Sequence, residues 1–187
     1  ATGGSNVANQ FTITLPDGWS VYDQIAAVFG KNDGTGVVLF SAQPVIKPNE
    51  TKADPELLAK ADDGEISSFF VDRQLAGKSA TCEKLSRPTL YDVGTKVAQD
   101  PALGGARRVF SAGLQPRSTE IQLGGCQGGR FLLHGPKRDG GDQWIIDVRV
   151  VSDGEVLYLF SLRNRARFYA ENLPLFENAL ATVKFAR

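Results

Sequence analysis

Between Trp144 and Leu162 the chain carries two consecutive apolar segments, W-I-I-D-V-R-V-V and V-L-Y-L-F-S-L, separated by S-D-G-E. Trp144, Ile146, Val148 and Val150 alternate with Ile145, Asp147, Arg149 and Val151. A period of two sends the first set to one face of a sheet and leaves the charged pair in the middle of the other. Asp153-Gly154 suits a tight turn, since both residue types tolerate positive φ at its centre. The returning segment places Val156, Tyr158, Phe160 and Leu162 on one face, and Leu157 and Leu159 on the other. A strand apolar on both faces needs cover above and below, which puts it in the middle of a sheet. One candidate cover follows directly. Leu175, Phe176, Ala179, Leu180 and Val183 recur at helical spacing, with Pro174 placed in the first turn, where a missing N–H costs nothing.

A chain of 187 residues is long enough for one sizeable core, and one domain is expected over residues 10–187. The small, polar opening A-T-G-G-S-N-V-A-N reads as a flexible tail over 1–9. Removal of an initiator and cleavage of an export signal explain Ala1 equally well. No apolar run approaches the roughly 18 residues of a membrane span. Net charge is zero, so bulk electrostatics gives no reason to expect nucleic acid or a membrane surface. The charge is unevenly spread. Residues 1–93 hold 8 Lys/Arg against 12 Asp/Glu, residues 94–187 hold 13 against 9, and ten of the twelve arginines fall in the second half. Two cysteines, Cys82 and Cys126, are compatible with one disulfide and equally with two separate buried thiols.

Taken in order, Phe11, Ile13 and Leu15 alternate with Thr12 and Thr14 as a strand with one apolar face, before Pro16-Asp17-Gly18 turns the chain. Ile25–Phe29 and Val37–Ala42 are expected as strands around G-K-N-D-G-T-G. That loop has no Gly-Lys-Ser/Thr opening a helix, so it is a hairpin turn rather than a phosphate cradle. Asp54-Pro55 opens an expected helix whose stripe is Leu58, Ala61, Ile66, Phe69, Phe70 and Leu75, with Gly64 as a kink or break. Asp62, Asp63 and Glu65 read as its solvated face. Short strands are expected at Ala106–Ala112, Thr119–Leu123 and Gly129–His134. G-G-C-Q-G-G lacks dinucleotide-loop spacing and is expected to be a bulged or flexible connection.

Chemistry is hard to assemble from these residues. His134 is the only histidine, so a nucleophilic triad must use it, with Ser111 in V-F-S-A-G as nucleophile and Asp147 as orienting group. Val109 stands where a nucleophile elbow needs its first glycine. One histidine and two distant cysteines match no zinc spacing. No catalytic residue, cofactor or metal is expected. Asn49-Glu50-Thr51 fits a glycosylation acceptor, a triplet that chance supplies often. Arg163, Arg165 and Arg167 are the candidate partner-binding residues. If the strand continues they share one face, and if a helix begins they ring its first turn; either way they would offer guanidinium forks to carboxylates or phosphates. The competing reading is ordinary surface arginine, and Arg107-Arg108 falls under the same alternative.

The opening F-T-I-T-L-P-D-G-W and the closing V-L-Y-L-F-S-L…P-L-F-E-N-A-L-A-T-V-K-F together resemble the PsbP-like proteins, whose fold is shared by DcrB-like bacterial envelope proteins and a yeast Ran-binding protein. The resemblance covers the two ends of the chain. It implies an α+β fold, a mainly antiparallel sheet of about six or seven strands flanked by helices on both faces, an α/β/α sandwich. It also implies non-enzymatic work as an extrinsic subunit, exported lipoprotein or binding partner. The metal-binding histidines of some members find no counterpart motif. The expectation is an exported bacterial interaction domain, periplasmic or in the envelope, that meets another protein through a sheet edge or its arginine-rich end. Any membrane attachment would be through an N-terminal anchor. A small apolar or anionic ligand bound between sheet and helix is the alternative, and a hydrolase using Ser111 and His134 comes third.

Overall fold

A computed structural model describes residues 11–14, 16, 20–22, 36–41, 55–56, 68–75, 81–86, 90, 93, 118–134, 143–154 and 156–185. Among these, seven strands form one antiparallel sheet: β2 (Ser20–Tyr22), β3 (Gly36–Ser41), β4 (Ser68–Leu75), β5 (Ser118–Leu123), β6 (Cys126–His134), β7 (Trp144–Ser152) and β8 (Val156–Arg165). Their spatial order is β2-β3-β4-β8-β7-β6-β5. The hairpin of β7 and β8 is therefore central, and all ten residues of β8 are buried. Ser152 pairs with Leu157 across the turn. Gly154 takes φ 105°. Asp153 acts through its side chain, accepting from the Val156 N–H at 2.8 Å and the Tyr158 hydroxyl at 3.0 Å.

Two apolar clusters cover the two faces. Tyr158, Phe160, Leu162 and Val151 pack with Phe176, Ala179 and Leu180 of helix α1 (Ala166–Ala181). Ile146, Val148, Val150, Leu157 and Leu159 pack with Phe131, Leu133, Leu85, Leu90 and Val93. The helix begins eight residues before Pro174, which lies inside it rather than in its first turn. The reason is at its start, where the Ala166 N–H donates to the Gln143 carbonyl at 2.8 Å. The backbone beside β7 thus satisfies a helix-initiating N–H directly. At the other end the Thr182 hydroxyl donates to the Ala179 carbonyl and accepts from the Thr14 N–H. Two short strands, β1 (Phe11–Thr12) and β9 (Lys184–Phe185), pair beside it. Phe11 stands edge-on to Tyr158 and Phe160 at 5.5 and 5.3 Å between ring centres.

Two expectations are corrected here. Residues Ser68–Leu75, assigned above to the second half of a helix, are β4, paired along its length with β3 and β8. Phe69, Phe70 and Val71 are good strand formers, and pairing on both sides overrides the helical spacing. Pro55 and Glu56 are helical, while 57–67 and the strands expected at 25–29 and 106–112 lie outside the described residues. Nor is G-G-C-Q-G-G a bulged or flexible joint. Gly124 and Gly125, at φ 60° and 80°, form a two-residue hairpin turn between the paired Leu123 and Cys126, as a primed turn requires. Gly128 and Gly129 lie inside β6. A methyl group on Gly128 would overlap the Val150 carbonyl oxygen, and one on Gly129 would meet Leu90 at 2.7 Å. Gly128→Ala is accordingly expected to destabilise the fold by about 1–3 kcal/mol, measured as a fall in urea midpoint.

Candidate functional site

The face of the sheet under α1 carries charge as well as apolar side chains. Asp147, fully buried, accepts five hydrogen bonds. Its Oδ1 receives Arg130 Nε at 3.1 Å and Arg149 Nε at 2.8 Å. Its Oδ2 receives Arg130 Nη2 at 2.7 Å, Arg149 Nη2 at 3.1 Å and the Tyr169 hydroxyl at 2.9 Å. Strand register explains the meeting. Arg130 on β6 pairs with Arg149 on β7, and Asp147 is two residues from Arg149, so the pleat sends all three side chains to the same face. Tyr169 descends onto them from the first turn of α1, and Arg130 Nη2 also donates to its hydroxyl at 2.9 Å.

The electrostatics follow from that packing. Burial pushes the Asp147 carboxyl up, but hydrogen bonds from Arg149 and Arg130 outweigh it and hold the group below its ordinary value. The hydrogen bond to Asp147 raises the Arg130 guanidinium. Burial, then the Asp147 charge, pushes the Tyr169 phenol up to about 12. A second carboxylate, Glu177 of α1, meets Arg149 Nη2 at 3.3 Å from a half-exposed side chain. The Arg149 guanidinium also lies over the Phe176 ring at 5.4 Å, a cation–π contact in a partly desolvated setting.

Beside this cluster a cleft of about 340 Å³ opens between the β5–β6 turn and the C-terminal half of α1. Arg149 and Glu177 stand on its walls with Ile121, Leu123, Leu180 and Ala181.

The arginines singled out in the sequence do not act together. The strand continues through Arg165, and the pleat turns Arg163 and Arg165 to the face opposite α1. There Arg163 is 1% and Arg165 5% exposed. Neither presents a fork to a partner; only Arg167, exposed on α1 with its guanidinium 4.7 Å from the Phe168 ring, stands at the surface. Cys82 and Cys126 are joined by a disulfide, with both residues in the core cluster under α1. Ser111 and Arg107-Arg108 lie outside the described residues. His134 ends β6 opposite Ile145. Asp147, the proposed orienting group of a triad, is committed to two guanidinium groups and a phenol, with no lone pair left for an imidazole. The sequence reading placed Asp147 and Arg149 on one face but missed the cluster they anchor. Its available signal was an Asp-x-Arg pair inside a strand whose other residues are nearly all apolar, next to a central strand that needs cover on that face. Among the described residues, no group of three or more His, Cys, Asp or Glu is placed to hold a metal, and no helix is long and apolar enough to cross a membrane.

These features define an α+β protein with an antiparallel sheet and a helix packed across it, and the chain has a PsbP-like fold. Two solved structures carry the likeness. The solution structure of cyanobacterial PsbP (CyanoP) from Synechocystis matches with a TM-score of 0.51 at 14% identity, covering 97% of this chain and 90% of that one. The crystal structure of LpqN, described as involved in cell envelope biogenesis of Mycobacterium tuberculosis, matches with a TM-score of 0.52 at 9% identity, covering 95% and 83%. A Bacteroides thetaiotaomicron crystal structure matches with a TM-score of 0.46 at 9% identity, and there the chain spans 46% of the other protein's length. No protein-family profile and no curated protein sequence matches the chain.

Proposed function

We propose that this protein is an exported, non-enzymatic accessory domain that binds another protein of the cell envelope. The observation that carries the reading is the PsbP-like fold, which this chain has in common with cyanobacterial PsbP and with LpqN, a protein involved in cell envelope biogenesis. The reading takes the full architecture to be the α/β/α sandwich, with helices over both faces. Export is supported by the Cys82–Cys126 disulfide, a bond that persists in oxidising compartments and is rare in a reducing cytosol. A lipoprotein anchor upstream of Ala1 belongs to the same proposal.

With Arg163 and Arg165 interior, the partner-facing surface is the sheet edge. Among the described residues β5 ends the sheet order, and Thr119, Glu120 and Gln122 are exposed along it. From the two-residue turn, Leu123, Ile121 and Thr119 bond to β6, so Ser118, Glu120 and Gln122 direct their N–H groups away from the sheet. That row suits addition of an extended segment from a partner.

Glu120→Pro removes one outward N–H without touching the β5–β6 ladder. It is expected to abolish cross-linked capture of the envelope partner while the melting temperature changes little. Arg167→Glu is expected to leave capture intact. Retention of the same partner by Glu120→Pro, or loss of it by Arg167→Glu alone, refutes the edge as the contact.

A further inference from the structure

The cleft beside the β5–β6 turn borders a charge cluster whose last compensating carboxylate is weakly held. Asp147 serves two guanidinium groups, Arg130 and Arg149, so these three charges sum to one positive. The balancing carboxylate is Glu177, held by a single 3.3 Å contact from a side chain 50% exposed. Such a contact is worth little against water. Arg149 spends Nε and Nη2 on Asp147 and Glu177. Among the described residues nothing accepts from its Nη1. Arg149 and Glu177 both stand on the cleft wall, and the rest of that wall includes Ile121, Leu123 and Leu180.

We propose that this cleft binds a small monocarboxylate with a short apolar body. The ligand carboxylate displaces Glu177 and takes a fork from Arg149, while its body lies on Ile121, Leu123 and Leu180. The volume of about 340 Å³ sits at the small end of ligand sites. The charge count selects the class of ligand. A monocarboxylate replaces one negative group by another, and the cluster stays balanced. A dianionic phosphate would exceed the one positive charge left uncovered when Glu177 is displaced, and would face the Asp147 carboxylate with its second charge unmatched. A neutral apolar molecule would leave the Arg149 donors dry and unmatched. The site is independent of the β5 edge contact, and either can fail without the other.

Isothermal titration of the 187-residue chain with hexanoate and benzoate, against hexanol and benzyl alcohol, tests the proposal. Saturable binding of the carboxylates in the region of about 1 mM is expected, with the alcohols at least about tenfold weaker. Glu177→Gln removes the internal competitor from an exposed position, so the fold is undisturbed, and carboxylate affinity is expected to rise about two- to fivefold. Ala181→Trp, at an exposed position on the cleft wall, is expected to abolish binding by filling the space. Four results overturn the proposal: no saturable binding by wild type or Glu177→Gln up to about 20 mM, alcohols binding as well as carboxylates, weaker binding by Glu177→Gln, or undiminished binding by Ala181→Trp.

Discussion

Replacing Asp147 by alanine is expected to cost the fold about 3–5 kcal/mol. The loss comes from what the carboxylate leaves behind. Arg149 is 8% exposed and Arg130 side-chain exposure is 29%, so two guanidinium groups would remain under α1 with, among the described residues, only half-exposed Glu177 to answer them. The Tyr169 hydroxyl would lose its acceptor as well. Urea unfolding reads the effect as a lowered midpoint at unchanged slope. A loss below about 1 kcal/mol would mean that water already solvates the cluster. Asp147→Asn keeps the shape and one acceptor oxygen, and its loss is expected to be smaller.

The same residue gives the protein a pH signature. Because the folded-state carboxyl titrates below its unfolded value, the unfolded chain takes up the proton first as pH falls. The stabilisation from Asp147 is therefore complete above the unfolded value of about 4 and is lost progressively as pH falls through the lower, folded value. In Asp147→Asn that part of the acid slope is absent.

Loss of the Cys82–Cys126 link ranks second. It closes a loop of sequence separation 44, and in the chain-entropy model a loop of that size contributes about 4 kcal/mol. Cys126 is fully buried and Cys82 nearly so; alanine at both positions removes the cross-link without burying a hydroxyl group. For a chain of this size the double variant is expected to melt roughly 8–16 °C lower. Dithiothreitol should bring the wild type to the same point. If the alanine variant stays within about 1 kcal/mol of the wild type, the segment around Cys82 is ordered without the bond, and the entropy argument does not apply to it.

The central hairpin was legible because its information is local. Alternation over Trp144–Val151 and a return strand apolar on both faces over Val156–Phe160 specify both the register and the need for two covers, whatever supplies them. Residues whose fate depends on distant partners were not legible. Phe69 and Phe70 sit at spacings that suit a helix, and only the pairing of β4 with β8, some ninety positions on, decides for a strand. Arg163 and Arg165 look like the frayed end of a strand. They are interior because β8 runs on opposite Ile146 and Trp144, under cover that the local sequence does not contain. Pro174 is a good helix start by its own chemistry. The helix starts earlier because β7 places the Gln143 carbonyl in front of Ala166. Asp147 and Arg149 were assigned to the right face of the sheet, but the third and fourth members, Arg130 and Tyr169, come from two other elements.

The short pairing of β1 with β9 has a mechanical consequence. The closing helix is continuous with the central strand at one end, and at the other it runs into a ribbon buckled to Phe11 and Thr12. It cannot lift like a flap from its free tip. The buckle must be undone before the aromatic layer beneath is wetted, so this helix and the opening strand should let go in a single event.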